Sequence, residues 1–144
     1  MKENIKGFED SNLLQMAPQI GVRESRRIMG QYTLTEDDIV NCVKFEDSIA
    51  RECYSIDVHN PSGTGTIIKG IKKGDYYTIP LRSLIPKGIS NLIVAGRPIS
   101  STHITHSAIR IMPICACVGE AAGYSVRIAL KLGISTEKVS YSQV

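Results

Sequence analysis

Asn91-Leu92-Ile93-Val94-Ala95-Gly96-Arg97 is the stretch on which a reading of this chain turns. The apolar run Leu92-Ile93-Val94-Ala95 stops at Gly96, the pattern of a strand buried on both faces in a sheet covered by helices. A polar connection follows, carrying Arg97, Ser100, Ser101, Thr102, His103, Thr105, His106 and Ser107, and then a helix is expected over residues 113–132. Pro113 suits the first helical position, where its missing N–H costs nothing, and Gly133 suits the left-handed position just past the end. Ligands of such sheets sit at the carboxyl ends of strands, against helix N-termini. Residues 96–113 are therefore where function is expected.

Ile114, Cys115, Ala116, Cys117, Val118, Ala121 and Ala122 leave the first half of that helix almost no polar face, so burial is expected there. Its middle, Gly119-Glu120-Ala121-Ala122-Gly123, consists of small residues that admit another backbone or a flat ligand. Each interior glycine costs about 1 kcal/mol relative to alanine, and close helix packing alone is the competing explanation.

Working outward, 144 residues suit one domain with a core of its own. A net charge of +3 is too small and dispersed to argue for nucleic acid, and the most basic cluster, residues 23–27, is interrupted by Glu24. No apolar core follows Met1-Lys2-Glu3-Asn4-Ile5-Lys6, so no signal peptide is expected, and charges at Glu120, Arg127 and Lys131 argue against a membrane span. Cys42, Cys53, Cys115 and Cys117 show no ligand spacing; Cys115 and Cys117 would point about 200° apart on a helix. Free buried thiols and a cytoplasmic location are expected.

Residues 1–8 read as the end of a helix. Leu13, Leu14, Met16, Ile20, Val22 and Ile28 mark two expected strands separated by Pro18, and Thr35-Glu36-Asp37-Asp38 starts a short helix with Ile39, Val40 and Val43 facing inward. Residues 45–50 read as a connection, 54–58 as a strand and Asn60-Pro61-Ser62-Gly63 as a turn. Residues 66–71 and 76–79 read as a hairpin around Lys73-Gly74-Asp75.

Several ordered segments carry a resemblance to a known family. Ile20-Gly21-Val22-Arg23-Glu24-Ser25-Arg26-Arg27-Ile28-Met29-Gly30, Ile56-Asp57-Val58-His59 and Tyr77-Thr78-Ile79-Pro80-Leu81-Arg82-Ser83-Leu84-Ile85-Pro86-Lys87-Gly88 lead into the opening stretch. Arg110-Ile111-Met112-Pro113 and the small-residue helix middle complete the set. In this order they closely resemble the C-terminal part of a family of FAD-dependent oxidoreductases, flavoproteins of the glutathione-reductase-like superfamily, over residues 11–134. Leu81, Pro98 and Glu120 depart from the family pattern, where Tyr, Cys and Gln are common. Such proteins open with a strand–GxGxxG–helix unit that cradles the FAD pyrophosphate, and no GxGxxG occurs here.

The resemblance implies an α+β piece of an α/β flavoprotein. Residues 1–8 end a truncated helix, 9–86 form a β-rich substrate-type module, 87–134 return to a Rossmann-like FAD domain, and 135–144 are a tail. It implies FAD in the complete protein, absent or weakly held by this chain alone. A small-molecule substrate and a part supplying the nucleotide-binding half are the implied partners, and apolar surface left uncovered would invite self-association.

In the family pattern the loop through Gly96 and Arg97 passes the FAD, and the helix start around Arg110, Met112 and Ile114 faces the flavin ring. Arg110 reinforces charge there or is a surface arginine. Arg23 and Arg27 share one face of an expected strand and Arg26 takes the other. They either bind substrate, as Arg82 would, or pair with Glu24, Asp57 or Glu46. His59 and His103 are acid–base candidates, with a plain hydrogen-bonding role the alternative for His59. The H-x-x-H spacing of His103 and His106 lacks a third ligand, so no metal is expected. Two functions follow: hydride transfer between a small organic substrate and flavin, or a non-catalytic module that associates with a nucleotide-binding partner.

Overall fold

The computed structural model describes residues 2–59, 65–140, 142 and 144. The fold is α+β: two small antiparallel sheets and a long C-terminal helix around one core. The turn expected at Asn60-Pro61-Ser62-Gly63 lies outside the described residues.

Helix α1 (Glu36–Val40) forms where acids follow Thr35. The Thr35 hydroxyl accepts from the Asp38 amide, and the Asp38 carboxylate accepts from the Thr35 amide, a reciprocal capping box. Ile39 is buried, whereas Val40 faces out.

Four strands follow: β1 (Ser48–Glu52), β2 (Ile56–His59), β3 (Thr66–Lys69) and β4 (Tyr77–Pro80). β2 pairs with β3 from Ile56↔Lys69 to His59↔Thr66, and this ladder nests inside β1–β4, which runs from Ser48↔Pro80 to Glu52↔Tyr77 with a bulge between Ser48 and Ala50. The expected hairpin of residues 66–71 with 76–79 therefore does not form, although both halves are strands. Every residue of β4 is buried while β3 is exposed throughout, so the two lie in different environments. Gly74, at φ 80, and the bond from the Asp75 amide to the Lys72 carbonyl bend the returning arm without closing a hairpin. Residues 45–50, expected as a connection, contain the start of β1, a strand created by its pairing with β4 and with little pattern of its own.

Three other expectations are corrected. Residues 2–7 are turns, not a helix end. Residues 11–29 form no strand; Leu14 is 97% exposed, and apolar alternation without a partner to pair with builds no sheet. Residues 92–95 lie in no ladder, with Leu92 exposed and the other three half-buried; the Val94 amide donates to the Leu84 carbonyl at 2.9 Å. A strand buried on both faces needs neighbours on both sides, and none pairs with it among the described residues.

The polar connection contains an unexpected helix, α2 (His103–Ile109), capped by the Thr102 hydroxyl accepting from the Thr105 amide. It meets α3 (Met112–Leu132) at 91°. Gly133 closes α3 at φ 63, where a side chain would be strained, and the Gly133 and Ile134 amides donate to the Leu130 and Ala129 carbonyls. Only one stripe of α3 is buried, including Ile114, Val118, Ala122 and Ser125, where the helix packs on β1. Its opposite face is open, with Met112 87% and Leu130 79% exposed, so the expected burial of the whole first half does not hold.

One core joins Leu34, Ile39, Ile56, Tyr77, Ile79 and Leu84 to Ile99, Ile109, Ile114 and Val118. No single described helix is long and apolar enough to cross a membrane. All four cysteines are free thiols, but only Cys42 is buried; Cys53 and Cys117 are exposed, correcting the expectation of buried thiols.

Candidate functional site

Residues 22–28 lie beside the loop that leads into α2, held there by one backbone and two arginine hydrogen bonds rather than by a ladder. The Ile28 amide donates to the Pro98 carbonyl at 2.9 Å, Arg27 Nε donates to the Ser101 carbonyl at 2.9 Å, and Arg97 Nη1 donates to the Val22 carbonyl at 2.6 Å. These anchors set the Glu24 carboxylate against α2. His103, His106 and Arg110 recur at helical spacing, so one side of α2 and its C-cap present all three to Glu24.

The carboxylate is the centre of the group. Oε1 accepts from Arg27 and lies 2.8 Å from His103 Nδ1. Oε2 lies 3.4 Å from His106 Nδ1 and 3.8 Å from Arg110 Nη1. Burial alone would raise the Glu24 pKa, but the His103 hydrogen bond, the charge on His106 and the Arg27 hydrogen bond outweigh it, and the net shift is downward.

His106 is the buried member, its side chain 2% exposed. Burial pushes its pKa below the usual imidazole value; Glu24 opposes that push, while Arg27 and Arg110 add to it. His106 Nε2 lies 3.1 Å from the Arg97 carbonyl, which only accepts, so that nitrogen carries the hydrogen. In the neutral ring Nδ1 is then an acceptor facing a carboxylate, and it has no hydrogen-bond partner among the described residues. The pair is matched only when a proton lies between them.

A cleft of about 310 Å³ opens beside the cluster, lined by Val22, Arg23, Glu24, Arg26, Arg97 and His106 among others. Arg23 and Arg26 are exposed, and neither makes an ion pair or side-chain hydrogen bond with a described residue. Arg27, by contrast, is paired with Glu24, one of the partners expected for these arginines.

The remaining candidates lie apart. His59 ends β2, with Nδ1 3.3 Å from the Thr66 hydroxyl, and does not line this cleft. Arg82 grips Asp47 in a bidentate pair, Nε–Oδ2 2.8 Å and Nη2–Oδ1 3.0 Å, and its guanidinium lies 5.2 Å from the Tyr32 ring centroid. That pair lines a separate cavity of about 360 Å³. Gly96 turns the chain at φ 80 just before Arg97. Met112 and Ile114 occupy the first turn of α3, the former exposed and the latter buried, and Ile111 caps this helix without a side-chain hydrogen bond.

Sequence reasoning singled out His103, Arg110, Arg97, Arg23 and Arg26, which the fold gathers around Glu24. Glu24 stood as one ion-pair partner among three, and the only signal of a larger role was an acid set among the three arginines of residues 23–27, with the two histidines further along the chain.

A family model described as FAD dependent oxidoreductase matches residues 1–144. No curated protein and no solved structure matches the chain. With its whole length matched, this chain belongs to the FAD-dependent oxidoreductase family.

Proposed function

We propose that residues 1–144 form the C-terminal, substrate-side portion of a FAD-dependent oxidoreductase of the glutathione-reductase-like superfamily, whose GxGxxG unit lies outside this sequence. In this reading residues 9–86 serve as the substrate-type module, and residues 87–134 belong to a Rossmann-like FAD domain. The observation that carries it is the open N-terminus of α3, adjoining the Glu24 cluster through Arg110. No side chain caps this helix, and Met112 is exposed at its mouth.

This donor set fits the cofactor. Free amides at a helix start, with the positive end of the dipole behind them, favour negative charge such as reduced flavin bears at one ring edge. The amide of the exposed Met112 would hold that edge, with Ile114 buried behind it and Gly96 and Arg97 along the ring. When bound, FAD supplies a two-electron acceptor for a substrate hydride.

The chain's own residues do the rest. Arg23, Arg26 and Arg97 orient the substrate by charge. Glu24 fixes the ring of His103 through Nδ1, leaving Nε2 to take the substrate proton, the way a carboxylate sets a histidine tautomer in acid–base sites. His59 and Arg82, on this geometry, play supporting parts in the fold.

The open face of α3 and the unladdered residues 92–95 flank an apolar cleft of about 340 Å³ lined by Leu92, Ile93, Val126 and Leu130. Both surfaces suit docking by the nucleotide-binding part, and self-association is the fate expected of them without it. Four free thiols fit a reducing compartment such as the cytoplasm.

Co-expression with a GxGxxG-bearing half from the same family tests the proposal by the visible flavin absorbance of the purified complex. The expected result is a yellow complex and a colourless chain alone. A colourless complex would sink the flavin reading, and a stoichiometrically yellow chain alone would sink the view that its cofactor site is shared.

A further inference from the structure

The arginines beside Glu24 outnumber the acid they face. Arg27 and Arg110 lean on Glu24, Arg97 lines the cleft with Nη1 already given to the Val22 carbonyl, and Arg23 and Arg26 have no partner among the described residues. Glu24 cannot neutralise all of them, because both its oxygens are already shared between two arginines and two histidines. Lys and Asp side chains line no part of the cleft. The result is a concave site with unmatched positive charge, whose wall is held rigid by three long-range hydrogen bonds and backed by a buried histidine.

We propose that this cleft binds a small organic anion, one bearing a carboxylate or phosphate, with Arg23, Arg26 and the free edge of Arg97 as its grip. A guanidinium offers a planar fork that carboxylate and phosphate oxygens match in pairs, so unpartnered arginines at a cleft select for such groups. Size sets the upper limit. About 310 Å³ lies at the low end of ligand pockets and equals roughly ten waters, which suits a molecule of a few carbons and excludes a whole dinucleotide. That this anion is the substrate rests on the oxidoreductase reading above; that the cleft binds it does not.

The test uses the full 144-residue chain, isotope-labelled, titrated with succinate and separately with inorganic phosphate, and read by histidine ring and backbone NMR shifts. Saturable shifts confined to residues 22–26, Arg97 and His106 are expected. Tighter binding of succinate marks a carboxylate site, and tighter binding of phosphate marks a phosphate site. The double variant Arg23→Gln, Arg26→Gln should weaken binding by about a hundredfold, since each lost charge-assisted hydrogen bond is worth about tenfold. Arg82→Gln, whose guanidinium serves Asp47, should leave affinity unchanged and controls for general loss of positive charge.

Absence of saturable shifts, or equal affinity in the double variant with its fold intact by backbone NMR, overturns the proposal. Anion binding together with a colourless co-expressed complex would leave the cleft standing and remove the flavin. The opposite pair of results would remove the cleft and leave the flavin.

Discussion

Glu24→Gln removes the charge on which the site converges while keeping the side chain's shape. The Glu24 side chain is 21% exposed, and its carboxylate meets Arg27, His103, His106 and Arg110. A hydrogen bond to a charged group contributes about 1.5–3 kcal/mol and an exposed ion pair 0–1 kcal/mol. Partial solvent screening places this site between those limits, so the variant should lose about 2 kcal/mol, which is roughly 6 °C in Tm for a domain of this size. The pH dependence carries the same logic. His106 has a folded pKa below its ordinary 6.5, so its stabilising effect is complete above about 6.5 and is lost as pH falls below it. Glu24 has a folded pKa below 4.5, so its contribution is present above 4.5 and lost on further acidification. Urea denaturation of the wild type should show both losses, and Glu24→Gln only the upper one. NMR titration should place the His106 pKa lower still in the variant, because burial remains while the opposing carboxylate is gone. An unchanged urea midpoint, or a His106 pKa that rises, would refute the reasoning.

Two further variants probe the frame around the site. In Gly30→Ala the new Cβ would lie 2.6 Å from Ser100 Cβ and 3.0 Å from the Tyr32 carbonyl oxygen, so a loss of about 1–3 kcal/mol is expected in urea denaturation. Arg82→Gln strips Asp47 of its bidentate partner; because Arg82 is half exposed, the expected loss is about 1–2 kcal/mol at neutral pH. Burial would raise the Asp47 pKa, but its hydrogen bonds from Arg82 hold it below the ordinary 3.8. That variant's deficit should therefore shrink as pH falls through and below 3.8, when wild-type Asp47 also loses its charge.

Features written in adjacent residues were legible in the sequence. The Thr35–Asp38 box, Pro113 and Gly133 announce α1 and the limits of α3 because capping is settled within one turn. Pairing is not settled locally. β4 reads as a strand but chooses β1 over β3, and residues 48–50 become part of a strand only because β4 lies beside them. Residues 13–28 carry apolar residues in strand-like order yet pair with no strand among the described residues. Helix α2 was hidden by its Ser, Thr and His content, which suggests a loop until the Thr102 cap is recognised. The site shows the same division. Each arginine and histidine could be singled out, but the hydrogen bond between Glu24 and His103 spans 79 residues, and only the fold shows that Glu24 is the hub.

A flavin meeting the start of α3 is what the proposed function requires, and cofactor reduction probes that contact. In a complex of the labelled chain with a GxGxxG-bearing half and bound FAD, chemical reduction of the cofactor adds negative charge at the ring edge facing the protein. The Met112 and Ile114 amides should then shift more than those in β1–β4. Reduction of a bound cofactor that leaves both amides unmoved would contradict the account.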